Sequence, residues 1–263
     1  MGHLTEDEAV QALDDAWVVY HLAYAQTSFS RLHEDADCLW YESAIGFPVF
    51  GGVVRSRFAL DTADRRIAEL LETLRGQSHH WFVMPTSQPA DLAERVLRAG
   101  GEIVAELAGM AMELSQLTPA PVLPMGVEIR LANDDDSVRE YARLYAQLFE
   151  TPEGSWVNDL AEAEVEIFHA GHDTFHRYLA YENGRTIAAG MTCLEGGVAS
   201  LETLSTLPEC RNRGIGAVLA TQALQHEGEN GAHIAVVWSS PGARRLYSRM
   251  GFRHVCTGNV LAF

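Results

Sequence analysis

From residue 198 to 207 the chain alternates, with Val198, Ser200, Glu202 and Leu204 on one face and Leu201, Thr203 and Ser205 on the other, until Pro208 stops it. A period of two predicts a strand. The pattern then lengthens: Ile215, Val218, Leu219 and Ala223 recur at helical spacing, so a helix opens near Ile215. A second passage from strand to helix follows. An apolar strand at 234–238 leads into Ser239-Ser240-Pro241-Gly242, and Ala243, Leu246, Tyr247 and Met250 then share one helical face. Serine is expected to cap that helix, Pro241 suits its first turn, and Gly251 suits its exit. The shared face turns Tyr247 toward the sheet.

Between the first strand and its helix lies Arg211-Asn212-Arg213-Gly214-Ile215-Gly216-Ala217. The first N–H groups of a helix have no partner within it, and the helix dipole favours an anion there. Gly214 and Gly216 let a bulky phosphate approach the backbone, while Arg211 and Arg213 add positive charge. The segment therefore predicts a phosphate cradle.

Together the two segments resemble the GNAT superfamily of acetyl-CoA-dependent N-acetyltransferases: Arg or Gln, two residues, Gly, one residue, Gly or Ala, then Leu-Tyr and Gly-Phe downstream. The resemblance covers residues 127–263. It implies that Asn212 to Ala217 hold the pyrophosphate of acetyl-CoA, with Arg211 beside them. It also implies that backbone groups of Leu204, Ser205 and Thr206 pair with the pantetheine arm, and that Tyr247 is the general acid. Ser240 stands where many members carry Asn and is the remaining cofactor contact. Glu202, on the strand leading into the loop, is the candidate general base, with Glu195 and His233 in reserve. The fold implied is α/β (α+β), a mixed, mostly antiparallel sheet flanked by helices.

The rest of the chain fits that layout. Thr118-Pro119-Ala120-Pro121-Val122-Leu123-Pro124 places three prolines in seven residues, which denies the chain regular hydrogen bonding and predicts a linker at 118–124. After it come a strand at 127–131, a helix over 138–149, and a second helix opened by Asn158 and closed near Gly171. Two strands at 177–181 and 186–194 then flank an Asn183-Gly184 hairpin turn. Asp134-Asp135-Asp136 is read as the cap of the first of these helices. Before the linker, a strand at 81–84, a start at Ser87-Gln88-Pro89-Ala90-Asp91 that a side chain caps, a helix at 92–99, Gly100-Gly101 and a strand at 110–114 echo the order of 234–251. Residues 1–117 are thus expected to be a degenerate GNAT-like half, and 125–263 the catalytic domain. Aligning Gly100 with Gly251 puts Val96 where Tyr247 stands. The helix at 68–74 has no glycine-rich arginine loop before it. The first half is accordingly expected to bury one face of the catalytic domain and to shape the acceptor pocket without binding acetyl-CoA.

Composition narrows the function classes. The chain has 263 residues, 36 acidic against 19 Lys and Arg, and a formal charge of −17, which argues against nucleic acid. No run approaches the roughly 20 apolar residues of a membrane span, and the acidic start lacks the features of a signal peptide. Four dispersed cysteines (Cys38, Cys193, Cys210, Cys256) suggest neither a disulfide framework nor a metal site, and a reducing cytosol fits. His169, His172 and His176 are spaced like metal ligands, but Gly171 interrupts any helix that would align them, so they are read as solvated loop histidines. His79 and His80 are read the same way, and no metal is expected. The sequence thus predicts a cytoplasmic enzyme that moves an acetyl group from acetyl-CoA to the primary amine of a small molecule. A non-catalytic acyl-CoA-binding or partner-binding module is the rival, and the tandem layout also resembles that of mycothiol synthases. Oligomeric state is not legible.

Overall fold

A computed structural model of the chain describes residues 4–77, 79–147, 154–171 and 174–263. Its elements in chain order are α1 (Glu6–Ala25), β1 (Ser30–Glu34), β2 (Cys38–Ser43), β3 (Gly52–Ser56), α2 (Ala63–Thr73), β4 (His80–Val83), α3 (Leu92–Arg98) and β5 (Glu102–Glu113) in the first half. The second half holds β6 (Val127–Leu131), α4 (Asp135–Ala146), α5 (Ser155–Ala170), β7 (Phe175–Glu182), β8 (Arg185–Glu195), β9 (Val198–Thr206), α6 (Ile215–Glu229), β10 (Ile234–Ser239), α7 (Arg244–Met250) and β11 (Arg253–Ala262).

All eleven strands form one sheet in the order β1-β2-β3-β4-β11-β5-β10-β9-β8-β7-β6. The pairs β3–β4 and β9–β10 are parallel, and the remaining neighbours are antiparallel. The two halves exchange their last strands. β5 of the first half lies between β10 and β11, pairing Met110 with Val237 and Ala108 with Thr257, and β11 in turn pairs with β4. The sheet is thus continuous across the linker, and each half is completed by the other's final strand. At this seam α1 packs close: a Cβ on Gly109 would lie 2.5 Å from Cys256 Sγ and 3.0 Å from both Leu13 Cδ1 and Trp238 Cζ3, so the site has no room for a side chain.

The helices sort by face. Tyr141 of α4 hydrogen-bonds Thr203 at 2.7 Å, while the next residue, Leu204, packs beside Gly216 of α6, so α4 and α6 cover opposite faces. α1 and α5 join α4: Tyr20 of α1 lies 3.5 Å from Tyr145, and Tyr24 of α1 donates to Glu164 of α5. Glu164 also holds Arg177 of β7, whose Nε lies 2.7 Å and Nη2 2.5 Å from Oε2, both side chains being fully buried.

Several local expectations change. α5 begins at Ser155 because Trp156 is buried and stacks on Phe47 at 4.8 Å, so Asn158 lies within the helix. No serine caps α7. Its N-cap is Ala243, because Ser239 spends its hydroxyl on the Ser240 carbonyl and 240–243 forms a turn. Asp91 likewise precedes α3 without a capping bond. Asp134 does cap α4, accepting from the Ser137 N–H at 2.8 Å, and the hairpin turn has φ of 52° at Asn183 and 78° at Gly184. The far end of the helix expected over 138–149 lies outside the described residues.

Candidate active site

The parallel pair β9–β10 opens into a splay. Registered partners run from Ile234↔Val198 to Val236↔Ser200 and stop there, leaving 201–206 unpaired on that side. On its other side β9 stays bonded to β8: the Leu207 N–H donates to the Ile187 carbonyl at 2.9 Å, and the register continues through Thr206↔Ala188 and Ser205↔Ala189. Backbone groups alternate in direction along an antiparallel pair, so Ser205 turns its peptide groups toward β8, and Leu204 and Thr206 turn theirs into the splay. The Ser205 hydroxyl also points to β8, 3.4 Å from the Ala189 carbonyl. Of the three residues expected to meet a pantetheine arm, Leu204 and Thr206 thus turn their backbone groups into the splay, and Ser205 turns its own toward β8.

A β-bulge at Glu202 alters the facing. Met191 pairs with Thr203 and Thr192 with Leu201, so Glu202 is the extra residue. Simple alternation puts Glu202 on one face with Leu204 and Thr206. Instead Glu202 accepts from the Ser200 hydroxyl and lies near Tyr145 on the α1–α4 side, while Leu204 and Thr206 pack against Gly216 on the α6 side. The Glu202 carboxyl is enclosed, with limited access to water, and burial raises its pKa from 4.5 to about 7, the Ser200 hydroxyl pulling the other way. Glu195 ends β8 opposite Val198, and His233 immediately precedes β10, so both reserve candidates lie at the paired end of β9 and β10, away from the splay.

Tyr247 approaches from the opposite face. Its ring is buried among Leu201, Val237 and Met250 and meets Phe252 edge-on at 5.7 Å. No hydrogen bond to its hydroxyl occurs among the described residues, and the side chain lines the groove that enters the splay. Burial, then the nearby Glu202 charge, push its pKa well up, so the phenol keeps its proton. Glu202 and Tyr247 thus lie on opposite faces of the sheet, near enough for the carboxyl charge to act on the phenol, and of the two Tyr247 lines the groove.

That groove has a volume of about 1020 Å³ and runs between α6 and α7. At its floor Gly214 is the N-cap of α6 with φ of 80°, a left-handed conformation that glycine adopts without strain. No side chain caps the helix, and its first internal bond is Val218 N–H to the Gly214 carbonyl at 3.0 Å, which leaves the amides of Ile215, Gly216 and Ala217 free of helical partners. Asn212 holds the turn at φ of 62°. Arg211 donates to the Thr206 carbonyl at 3.0 Å. Arg213 binds Glu182 through both Nη atoms, at 3.0 and 2.5 Å, so it braces the loop against β7 and its charge is already matched. Ser240 lines the other wall. A free amide cluster, a strand edge open over 201–206 and a left-handed glycine fit a diphosphate with an extended thiol arm.

Residues 138–252 match the acetyltransferase (GNAT) family. This part of the chain belongs to the GNAT acetyltransferases. Among solved structures, the whole chain resembles a GCN5-related N-acetyltransferase from Kribbella flavida (TM-score 0.71, 18% identity, covering 97% of this chain and 95% of that one). It also resembles a tandem GNAT protein from the clavulanic acid biosynthesis pathway (TM-score 0.64, 12% identity, 100% and 96%) and a GCN5-related N-acetyltransferase from Sphaerobacter thermophilus (TM-score 0.60, 16% identity, 98% and 93%). At these identities the likeness is one of fold, and it takes in both halves. No curated protein matches the sequence.

In the first half the equivalent GNAT opening, between β3 and β4, is filled by the chain itself. After Val53↔Trp81 the Gln88 N–H donates to the Ser56 carbonyl at 2.9 Å, the Phe58 N–H donates to the Gln88 carbonyl at 3.1 Å, and the Trp81 indole reaches the Ser56 hydroxyl at 3.2 Å. Val96, at the place of Tyr247, is fully buried.

The three histidines read as solvated loop residues differ in their settings, and His176 departs from that reading. His169 pairs with Asp135 at 2.9 Å, and His172 lies outside the described residues. His176 is a strand residue whose Nδ1 sits 2.9 Å from Oε1 of the fully buried Glu227, which also accepts from Tyr178 at 3.1 Å and from Thr192. With His226 the ligand atoms of this group lie within 4.8 Å of one another. His79 and His80 are set into the protein too, where burial lowers both pKa values, His80 to about 4. No helix among the described residues is long and apolar enough to cross a membrane.

Proposed function

We propose that the protein transfers an acetyl group from acetyl-CoA to the primary amine of a small molecule, at a single site in the second half. The observation that carries this reading is a groove floored by free helix amides and lined by Tyr247 where β9 and β10 part, with Glu202 near the phenol on the other face of the sheet. Acetyl-CoA, when bound, supplies an activated acetyl thioester.

Ile215, Gly216 and Ala217 offer N–H donors to the pyrophosphate, and the open edge of Leu204 and Thr206 offers strand-like bonds that align the arm. Glu202, with its pKa near 7, takes a proton from the acceptor ammonium, because a base works best when its pKa lies close to the operating pH. Tyr247 gives its phenolic proton to the departing thiolate; no carboxylate or backbone carbonyl among the described residues competes for that proton.

The acceptor enters from the α1–α4 side, where Tyr145 lies near Glu202 and Tyr20 from the first half lies 3.5 Å from Tyr145. An acceptor site roofed by α1 suits a small molecule. The test is a panel of amines offered to the purified chain with acetyl-CoA, following free thiol. Thiol release that depends on one amine class supports the reading. Tight acetyl-CoA binding with no release above background from any class would favour the binding-module alternative.

A further inference from the structure

The chain carries 36 acidic residues against 19 Lys and Arg, yet the residues lining the groove include three arginines and no carboxylate. Arg211 belongs to the loop below the pyrophosphate. The other two, Arg245 and Arg249, stand one turn apart on α7, on the wall opposite that loop, and both are exposed. Neither makes an ion pair among the described residues, whereas Arg213 of the phosphate loop is held by Glu182. In so acidic a chain, two unmatched guanidinium groups on the rim of a groove form a local basic patch for an anion.

The segment between the two halves fixes where that anion must lie. It crosses the mouth of the groove as a strap. Thr118 is tied to the last carbonyls of α7, its N–H to Met250 and its hydroxyl to Arg249, both at 3.0 Å. Pro121 then reaches the phosphate loop, 3.9 Å from the place a Cβ on Gly214 would take. Thr118, Pro119 and Pro121 all line the groove. A ligand whose pyrophosphate rests on the α6 amides therefore leaves the groove between the strap and α7, past Arg245 and Arg249.

We infer that Arg245 and Arg249, with the strap residues Pro119 and Pro121 as the facing wall, form a subsite for the 3′-phosphorylated adenosine end of coenzyme A. The inference rests on the acetyl-CoA reading given above and extends it, because the pyrophosphate is already served by the loop and the only further anionic group of coenzyme A is its 3′-phosphate. The first half, through the strap that follows β5, thereby contributes to cofactor recognition although its own equivalent opening is filled.

Isothermal calorimetry on the full chain, with acetyl-CoA and 3′-dephospho-acetyl-CoA as the two probes, tests this. Charge-assisted bonds to a phosphate of this kind are worth roughly tenfold or more in affinity. The wild type should therefore bind acetyl-CoA at least about tenfold more tightly than the dephospho form, and the preference should shrink on raising salt. Replacing both arginines (Arg245→Ala with Arg249→Ala) should bring the two affinities to within about twofold, with the dephospho form bound as before. Since both side chains are on the surface, an unchanged melting curve will show that the variant is folded. Equal affinities in the wild type, or a preference that survives the double replacement, would overturn the subsite while leaving acetyl transfer standing. Absence of any binding of acetyl-CoA to the wild type would overturn both.

Discussion

Glu202 offers a test in which catalysis and stability should move in opposite directions. Its carboxyl has a pKa of about 7 in the folded chain against 4.5 ordinarily, with burial the main cause. A group whose folded pKa is raised binds protons more readily when folded, so its contribution to stability is fullest below pH 4.5, falls as pH rises toward 7, and is lost above. The gap corresponds to about 3 kcal/mol at about 1.4 kcal/mol per pH unit, and to nearer 2 kcal/mol once the water that reaches the side chain is allowed for. Glu202→Gln keeps the shape and the bond from Ser200 but cannot ionise. Relative to wild type it should gain little at about pH 5 and about 2 kcal/mol at about pH 8, a widening of roughly 4–8 °C in melting temperature for a chain of this size. The same variant should lose roughly 10²- to 10⁴-fold in kcat/KM, and the rise of wild-type kcat/KM through pH 7 should vanish. Thermal melts of both proteins across that pH range, with kinetics on the best amine, provide the check. A melting difference that does not change with pH would show that Glu202 is not held proton-rich by its burial. A variant with wild-type kinetics would show that it is not the base.

Tyr247→Phe should keep acetyl-CoA affinity, measured by calorimetry, while slowing the chemical step by roughly 10²- to 10⁴-fold, because only the proton donor is removed; an unchanged single-turnover rate would make Tyr247 a packing residue alone. Gly214→Val places a β-branched side chain at φ of 80°, in the space the pyrophosphate needs, and should abolish acetyl-CoA binding in calorimetry with circular dichroism unchanged; retained affinity would remove the loop from the site. A fragment starting at Val122 loses β5 and with it the strand that joins β10 to β11, so it should be poorly soluble on gel filtration. A soluble, monomeric, fully active fragment would show that the exchanged strand is dispensable.

Much of the second half was legible because its signals are local. The alternation ending at Pro208, the Asn183-Gly184 turn and the apolar face carrying Tyr247 each specify one element through neighbours in sequence, and each element lies where that pattern puts it. The facing of Glu202 was not legible. A single extra residue in β9 reverses which side the following residues occupy, and nothing in Leu201-Glu202-Thr203 marks a bulge, since its cause lies in the pairing with β8. α1 could have been found: Thr5-Glu6-Asp7-Glu8 has the spacing of a capping box, and the box forms, with Thr5 accepting from the Glu8 N–H and Glu8 from the Thr5 N–H. The buried Glu227 was not legible in the sequence because its partners, His176, Tyr178 and Thr192, come from two strands distant in sequence. The prolines at 118–124 do bar regular structure, but the same stiffness also suits a strap held at Thr118 and resting on the phosphate loop.

The strand exchange ties a half whose own opening is filled to the frame of the other. β5 sits at the centre of the sheet, and its neighbour β10 is the strand from which β9 diverges, so the angle of the splay depends on what holds β10 from behind. The residues after β5 are tied to the end of α7, which carries Tyr247, and continue across the mouth of the groove. On the opposite face α1 sets Tyr20 against Tyr145 beside the candidate base. A first half that bound acetyl-CoA would need β3 and β4 to part, yet β4 is bonded to β11, which is bonded to β5, so opening one splay would load the seam that supports the other. Filling the β3–β4 opening with Gln88 and Trp81 removes that competition and leaves one rigid frame around one site.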